Sequence, residues 1–206
     1  MIKACITGGI GSGKTSITKI FKELGVPVFN SDKYSREAES DPIVQKEFKE
    51  ILGEDIFMDG VLDRAKMRNL VFKDKLVLEK INSFMVPYIK EQFEMFCRSN
   101  LSAPYVILES AIIFETGSDK NFDYIITVVA DVTTRMGRVR RRDGLSDEDI
   151  MNKMKSQLSD KYRLSNSHFS VNNDGDDLID SLPHLDEQVL DIHASLCSLA
   201  LKQNRL

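Results

Sequence analysis

Apolar residues fall along this chain in short blocks separated by amphipathic stretches. Residues 2–7 are mostly apolar and run into Gly8-Gly9, which predicts a short buried strand. Ile17, Ile20, Phe21 and Leu24 then recur at spacings of three and four, the mark of one helix face. Gly25 stands where a helix C-terminus favours a left-handed residue, and Val26 to Phe29 predicts a second strand. Three more strands are predicted at Tyr105–Leu108, at Tyr124–Ala130, which is apolar and β-branched, and at Phe169–Val171. A final helix carries Val189, Ile192, Leu196 and Leu199 on one face. Apolar strands alternating with helices predict an α/β fold with a parallel sheet covered on both faces.

Between the second and third strands, residues 33–100 read as helical, far beyond an ordinary connection. They are expected to form an inserted subdomain. Within it, Val61 to Phe72 and Lys75 to Val86 show helical spacing. Pro87 is expected to end or kink the second of these and could open a further helix to about Cys97. A second, charge-rich insertion is expected over 132–167. The core would then comprise residues 1–32, 101–131 and 168–206, all within a single domain.

Composition narrows the function. The 206 residues are 42 % hydrophobic and 29 % charged with a formal net charge of −4. That size and apolar content suit one compact domain with insertions, and the acidic balance argues against a nucleic-acid partner. Three widely spaced cysteines, Cys5, Cys97 and Cys197, indicate neither a disulfide framework nor a C-x-x-C metal site, so a reducing cytoplasmic compartment is expected. The N-terminus lacks the apolar stretch of a signal peptide. No apolar run approaches the ~20 residues needed to cross a bilayer, and no membrane partner is expected.

The segment Gly8-Gly9-Ile10-Gly11-Ser12-Gly13-Lys14-Thr15 matches G-x-x-x-x-G-K-[ST] at every fixed position, between a predicted strand and a predicted helix. Glycines let successive N–H groups curl around phosphate oxygens. The helix beginning near Lys14 presents its positive end to the same anion. Gly9, Gly11, Ser12, Gly13, Lys14, Thr15 and Ser16 are therefore expected to bind ATP, with Lys14 on the β- and γ-phosphates and the Thr15 hydroxyl on Mg²⁺. Neither of the D-x-x-G and N-K-x-D elements expected of a GTPase occurs in this chain, so a nucleotide-dependent switch is the second reading.

Asp32 follows the second strand, whose C-terminal end should face the ligand crevice. Its carboxylate could take a proton from an attacking hydroxyl, or it could serve as a helix N-cap. Arg135, Arg138, Arg140, Arg141 and Arg142 form a basic cluster in an acidic chain. Residues 135, 138 and 142 share a helix face and could close over a transferring phosphoryl group as a lid. A solvated basic helix is the competing reading. Arg64 and Arg68 lie on one helix face and suit either a phosphorylated acceptor or surface salt bridges.

These residues together resemble the dephospho-CoA kinase family. The resemblance runs from Ile6 to about His193. It rests on Thr7 through Lys14, Leu24-Gly25, Asp32 with Arg36, Gly60 through Arg64, Arg68, Val71-Phe72 and Ile112 through Glu115. Arg138, Arg142-Asp143-Gly144, Gln157 and Asn173 complete it. The resemblance implies a P-loop nucleotide-kinase core with a helical substrate subdomain and a lid. It implies transfer of the ATP γ-phosphoryl group to the ribose 3′-hydroxyl of dephospho-CoA, with Mg²⁺. Asp32, Lys14, Arg138 and Arg142 would be catalytic, and Thr7, Asp32, Arg64 and Arg68 would meet the acceptor. Another small acceptor, such as a nucleoside monophosphate, is the alternative within the kinase reading. A monomer or weak homo-oligomer is expected. The chain departs from the family pattern at Asn30, where a first carboxylate is usual, and at Val86, Ala111 and His168.

Overall fold

The structure, a computed structural model, describes residues 1–175 and 182–203; part of the expected core segment, 176–181 and 204–206, and the side chains of Phe72, Leu182 and Pro183 lie outside the described residues. The chain divides into two compact units, Met1–Phe29 with Cys97–Leu206, and Asn30–Phe96.

The first unit is α/β. Its sheet has five strands: β1 (Ile2–Thr7), β2 (Val28–Asn30), β5 (Tyr105–Glu109), β6 (Tyr124–Val129) and β7 (Phe169–Asn172), in the spatial order β2-β5-β1-β6-β7. β1 is central and pairs parallel with β5, Ile6 opposite Glu109, and with β6, Thr7 opposite Thr127; β6 pairs parallel with β7. One face is covered by α1 (Lys14–Glu23) and α9 (Leu182–Gln203). Ile2, Ala4 and Ile6 of β1 meet Ile17 and Phe21 of α1 and Val189, Ile192 and Leu196 of α9 in one core. Phe21, Ile17 and Leu196 are fully buried, each contributing about 1.5–3 kcal/mol relative to exposure.

The end of α1 follows from local chemistry. Gly25 has φ 80°, and its N–H donates to Lys22 O at 2.9 Å while the Val26 N–H donates to Phe21 O at 3.0 Å. This is the paired pattern of a left-handed glycine cap, completed by burial of Val26 and Phe21 in the same core. The turn takes up Val26, and the second strand is Val28–Asn30 rather than Val26–Phe29, with Pro27 O just before it accepting from the Ile107 N–H of β5 at 3.0 Å. After β6 come α6 (Val132–Asp143), α7 (Asp147–Lys155) and α8 (Asp160–Ser165). Gly144 ends α6 at φ 66°, and the Ser146 and Ser159 hydroxyls cap α7 and α8.

The second unit contains α2 (Ser31–Ala38), α3 (Pro42–Leu52), a hairpin of β3 (Phe57–Met58) and β4 (Val61–Leu62), α4 (Arg64–Lys73) and most of α5 (Lys75–Arg98). Ala38, Val44, Phe48, Leu52, Ile56 and Leu62 form its core. Two expectations are corrected here. Val61 and Leu62 are strand, not helix, because Asp59 and Gly60 both take positive φ, 51° and 78°, and reverse the chain; α4 starts only at Arg64, capped by Asp63. Pro87 does not end its helix, since α5 runs through it. Proline removes one backbone donor, but Ile81, Phe84, Met85 and Tyr88 on either side pack against the core, and that burial outweighs the single missing hydrogen bond.

Candidate active site

The loop Gly8–Thr15 leaves the C-terminal end of β1 and enters α1. Gly13 is the N-cap of that helix at φ 89°, ψ 25°, a conformation that disfavours any residue with a Cβ. A Cβ on Gly13 would also lie 2.1 Å from the Asn173 Nδ2. Gly9 is required for another reason, because a Cβ there would lie 2.2 Å from a terminal nitrogen of Arg135.

Each carbonyl from Gly8 to Gly13 receives a donor. Lys14 Nζ donates to Gly8 O at 2.8 Å and to Gly9 O at 3.4 Å. The Ser12 N–H donates to Gly9 O at 3.1 Å. Arg135 Nε donates to Ile10 O at 2.9 Å. Asn173 Nδ2 donates to Ser12 O at 2.9 Å, and Arg138 lies at 3.4 and 3.5 Å from Gly11 O and Ser12 O. The Ser16 N–H donates to Gly13 O at 3.0 Å. The Ile10, Gly11 and Ser12 carbonyls are met from outside the loop, by Arg135, Arg138 and Asn173, and those of Gly8, Gly9 and Gly13 from within the loop and α1; engaged carbonyls suit the inward N–H arrangement that binds an anion. The Thr7 and Ser12 hydroxyls are fully buried without a hydrogen-bond partner, an unusual state that marks places where a ligand oxygen could be met.

Thr15 Oγ1 donates to Glu109 Oε1 at 2.9 Å, and Thr18 Oγ1 donates to Glu109 Oε2 at 3.0 Å. Glu109 ends β5 and is buried. Donation by Thr15 leaves its oxygen lone pairs for a cation, and Mg²⁺ takes one or two protein oxygens and completes its shell with phosphates and water. The donor set fits that ion. Among the described residues no cluster of three or more His, Cys, Asp or Glu forms a protein-only metal cage.

Two of the five arginines of α6 reach the loop. Arg135 is 6 % exposed; burial pulls its guanidinium below the ordinary value, partly offset by Asp160, whose Oδ2 lies 2.7 Å from Arg135. Arg138 donates to Gly175 O at 2.8 Å and to Asn173 Oδ1 at 3.3 Å. Arg142 is turned elsewhere, forming two 2.8 Å bonds to Asp143 with its side chain 64 % exposed. Arg140 pairs with Asp147.

In the second unit, Asp32 lies exposed in the first turn of α2. The cap of that helix is Asn30, whose Oδ1 accepts from the Lys33 N–H at 2.8 Å. Asn30 thus fills the role that could have claimed Asp32. Arg64 pairs with Glu39 through Nε at 3.2 Å and a terminal nitrogen at 2.8 Å, while Arg68 is exposed. Sequence reasoning missed Arg135, Asp160 and Arg163 as structural partners of the loop. It gives Glu109 no role beside Thr15, although an acidic residue directly after the apolar run Tyr105–Leu108 is a readable signal.

The sequence profile of the dephospho-CoA kinase family matches residues 2–178 of this chain. The chain is 34 % identical over 176 residues to a dephospho-CoA kinase of Bacteroides fragilis, covering 85 % of this chain and 86 % of that one. It is 35 % identical over 191 residues to a dephospho-CoA kinase of Aggregatibacter actinomycetemcomitans, covering 91 % of each. A crystal structure from Thermus thermophilus superposes with a TM-score of 0.80 at 29 % identity, covering 94 % of this chain and 96 % of that one.

Proposed function

The chain belongs to the dephospho-CoA kinase family, and from that premise we propose how its residues divide the work of phosphoryl transfer. The reaction is the ATP-dependent phosphorylation of the ribose 3′-hydroxyl of dephospho-CoA, giving CoA and ADP. The observation that carries the assignment of labour is the loop Gly8–Thr15, in which each carbonyl from Gly8 to Gly13 has a donor and those of Ile10, Gly11 and Ser12 are met by Arg135, Arg138 and Asn173.

Gly9, Gly11, Ser12, Gly13, Lys14, Thr15 and Ser16 bind the ATP phosphates. Lys14 exchanges the carbonyls of Gly8 and Gly9 for the β- and γ-phosphate oxygens. Thr15, oriented by Glu109, would hold Mg²⁺, which would supply charge neutralisation at the phosphate oxygens. Asp32 accepts the proton of the 3′-hydroxyl as the new O–P bond forms and the bond from the γ-phosphorus to ADP breaks. Arg138 stands beside the loop to stabilise charge on the transferring group. Arg142 joins it by leaving Asp143, and Arg64 meets the acceptor, with Arg68, by leaving Glu39. Both pairs are surface pairs, worth about 0–1 kcal/mol, so a phosphate can displace either carboxylate. Thr7, at the end of β1, meets the acceptor through its buried hydroxyl.

Residues 132–167 act as the lid and 33–100 as the acceptor subdomain. No helix among the described residues is long and apolar enough to cross a membrane. Action in the cytoplasm on two dissolved substrates, as a monomer or weak homo-oligomer and without nucleic acid, completes the proposal. The test is ADP release from the purified protein with ATP and a panel of acceptors. Dephospho-CoA should support turnover and nucleoside monophosphates should not. The reverse preference would remove the acceptor assignment, and ADP release independent of any acceptor would remove the kinase.

A further inference from the structure

Ile10 sits at the apex of the phosphate loop, and both of its backbone groups are held by side chains from residues 132–167. Its carbonyl accepts from Arg135 Nε at 2.9 Å, and its N–H donates to Gln157 Oε1 at 2.8 Å. Arg135 is in turn fixed by a chain of alternating charges. Its terminal nitrogen meets Asp160 Oδ2 at 2.7 Å; Asp160 Oδ1 lies 3.4 Å from Arg163; Arg163 meets Glu115 Oε1 at 2.8 Å, and also donates to Leu158 O. The side chains of Arg135 and Arg163 are 7 % and 1 % exposed. Glu115 also accepts from the Leu158 N–H at 3.2 Å. The chain thus runs from the segment after β5, through α8, to the top of the loop.

We propose that Arg135 is a positioning residue for nucleotide binding, acting through Ile10 rather than on phosphate. The inference rests on the nucleotide reading above and goes beyond it. Sequence spacing put Arg135 on the same phosphate-facing surface as Arg138 and Arg142. The structure instead commits its Nε to Ile10 O and one terminal nitrogen to Asp160, and sets the other terminal nitrogen where Gly9 would carry a Cβ. Two of its three guanidinium nitrogens are thus bound to the protein, one of them to the loop backbone at Ile10. Arg135 holds the Ile10 carbonyl outward, and an outward carbonyl is what leaves the neighbouring N–H groups turned to the anion. Gln157 holds the other side of the same residue.

A positioning role makes a prediction that general stabilisation does not. The loss should fall on the phosphates of the ligand and not on its nucleoside. Binding of ADP and of adenosine is measured by calorimetry, with adenosine read by competition, for the wild type, Arg135→Met, Arg135→Lys and Gln157→Ala. Loss of a charge-assisted bond to Ile10 should weaken ADP about tenfold in Arg135→Met, with adenosine unchanged. Gln157→Ala leaves no charge unpaired, so it keeps the test open should Arg135→Met fail to fold; it should show the same selectivity for ADP. Lysine can pair with Asp160 but lacks the planar fork that reaches Asp160 and Ile10 together. Arg135→Lys should therefore recover the unfolding midpoint without recovering ADP affinity. Equal losses for ADP and adenosine, unchanged ADP binding, or full rescue by lysine would each overturn the proposal. Wild-type protein that binds ADP but fails to phosphorylate dephospho-CoA would remove the acceptor assignment and leave this inference standing.

Discussion

Gly13→Ala separates two costs that the loop geometry combines. The first is backbone strain: alanine at φ 89°, ψ 25° costs about 1–2 kcal/mol. The second is displacement of Asn173, because the new Cβ would lie 2.1 Å from Nδ2. Asn173 is 4 % exposed and supplies the 2.9 Å bond to Ser12 O; leaving that buried carbonyl short of a donor costs about 1–3 kcal/mol. The sum, about 2–5 kcal/mol, is a large part of an ordinary domain stability of about 5–15 kcal/mol, yet leaves the protein folded at low temperature. Urea unfolding of the wild type, Gly13→Ala, Asn173→Ala and the double variant measures both parts. In the Asn173→Ala background the clash is gone, so Gly13→Ala should cost only the strain, about 1–2 kcal/mol, and the two changes should be non-additive by the remainder. Equal cost of Gly13→Ala in both backgrounds, or a cost below about 0.5 kcal/mol in the wild type, would refute the geometry assigned to the loop.

Other outcomes follow from the same interactions. Arg163→Met removes the cation between Glu115 and Asp160 and should destabilise by about 3–5 kcal/mol, as expected when one partner of a buried charge pair is lost, read as a shift in the urea midpoint at unchanged m. Asp41 accepts from the Ile43 N–H and from the Tyr88 hydroxyl, both at 2.8 Å, and these bonds hold its carboxyl below the usual range, the backbone bond most. A lowered folded pKa adds stability that is present above the unfolded value of about 3.9 and is lost as pH falls through the folded one. Asp41→Ala should therefore unfold at lower urea than wild type at pH 7, and the gap should narrow as pH drops below about 4.

The parts of the fold visible in sequence are those set by short-range pattern. β1, the phosphate loop and α1 are specified within residues 2–25, including the glycine that ends the helix. β6 and the buried face of α9, with Val189, Ile192 and Leu196, follow from apolar spacing alone. What was not legible depends on partners distant in the chain. Arg135 reads as one more phosphate-facing cation of a lid until Asp160, Arg163 and Glu115 are brought beside it. Pro87 reads as a break until the burial of Phe84 and Tyr88 on either side is seen. The Asp59-Gly60 hairpin carried a usable turn signal that helical spacing in the following residues obscured. Asn30, a departure from the family pattern, gains a physical role as the cap of α2, which releases Asp32 from that duty.

The measurement that tests the account most directly follows a labelled γ-phosphoryl group from ATP in the presence of dephospho-CoA, for the wild type and Asp32→Asn. Wild-type protein should move the label to the 3′ position of CoA, with one ADP released per label transferred. Asp32→Asn should bind both substrates with near-normal affinity and transfer about 10²–10⁴-fold more slowly, the usual loss of a general base. Label remaining in ATP or appearing as inorganic phosphate with the wild type, or transfer by Asp32→Asn at the wild-type rate, would contradict it.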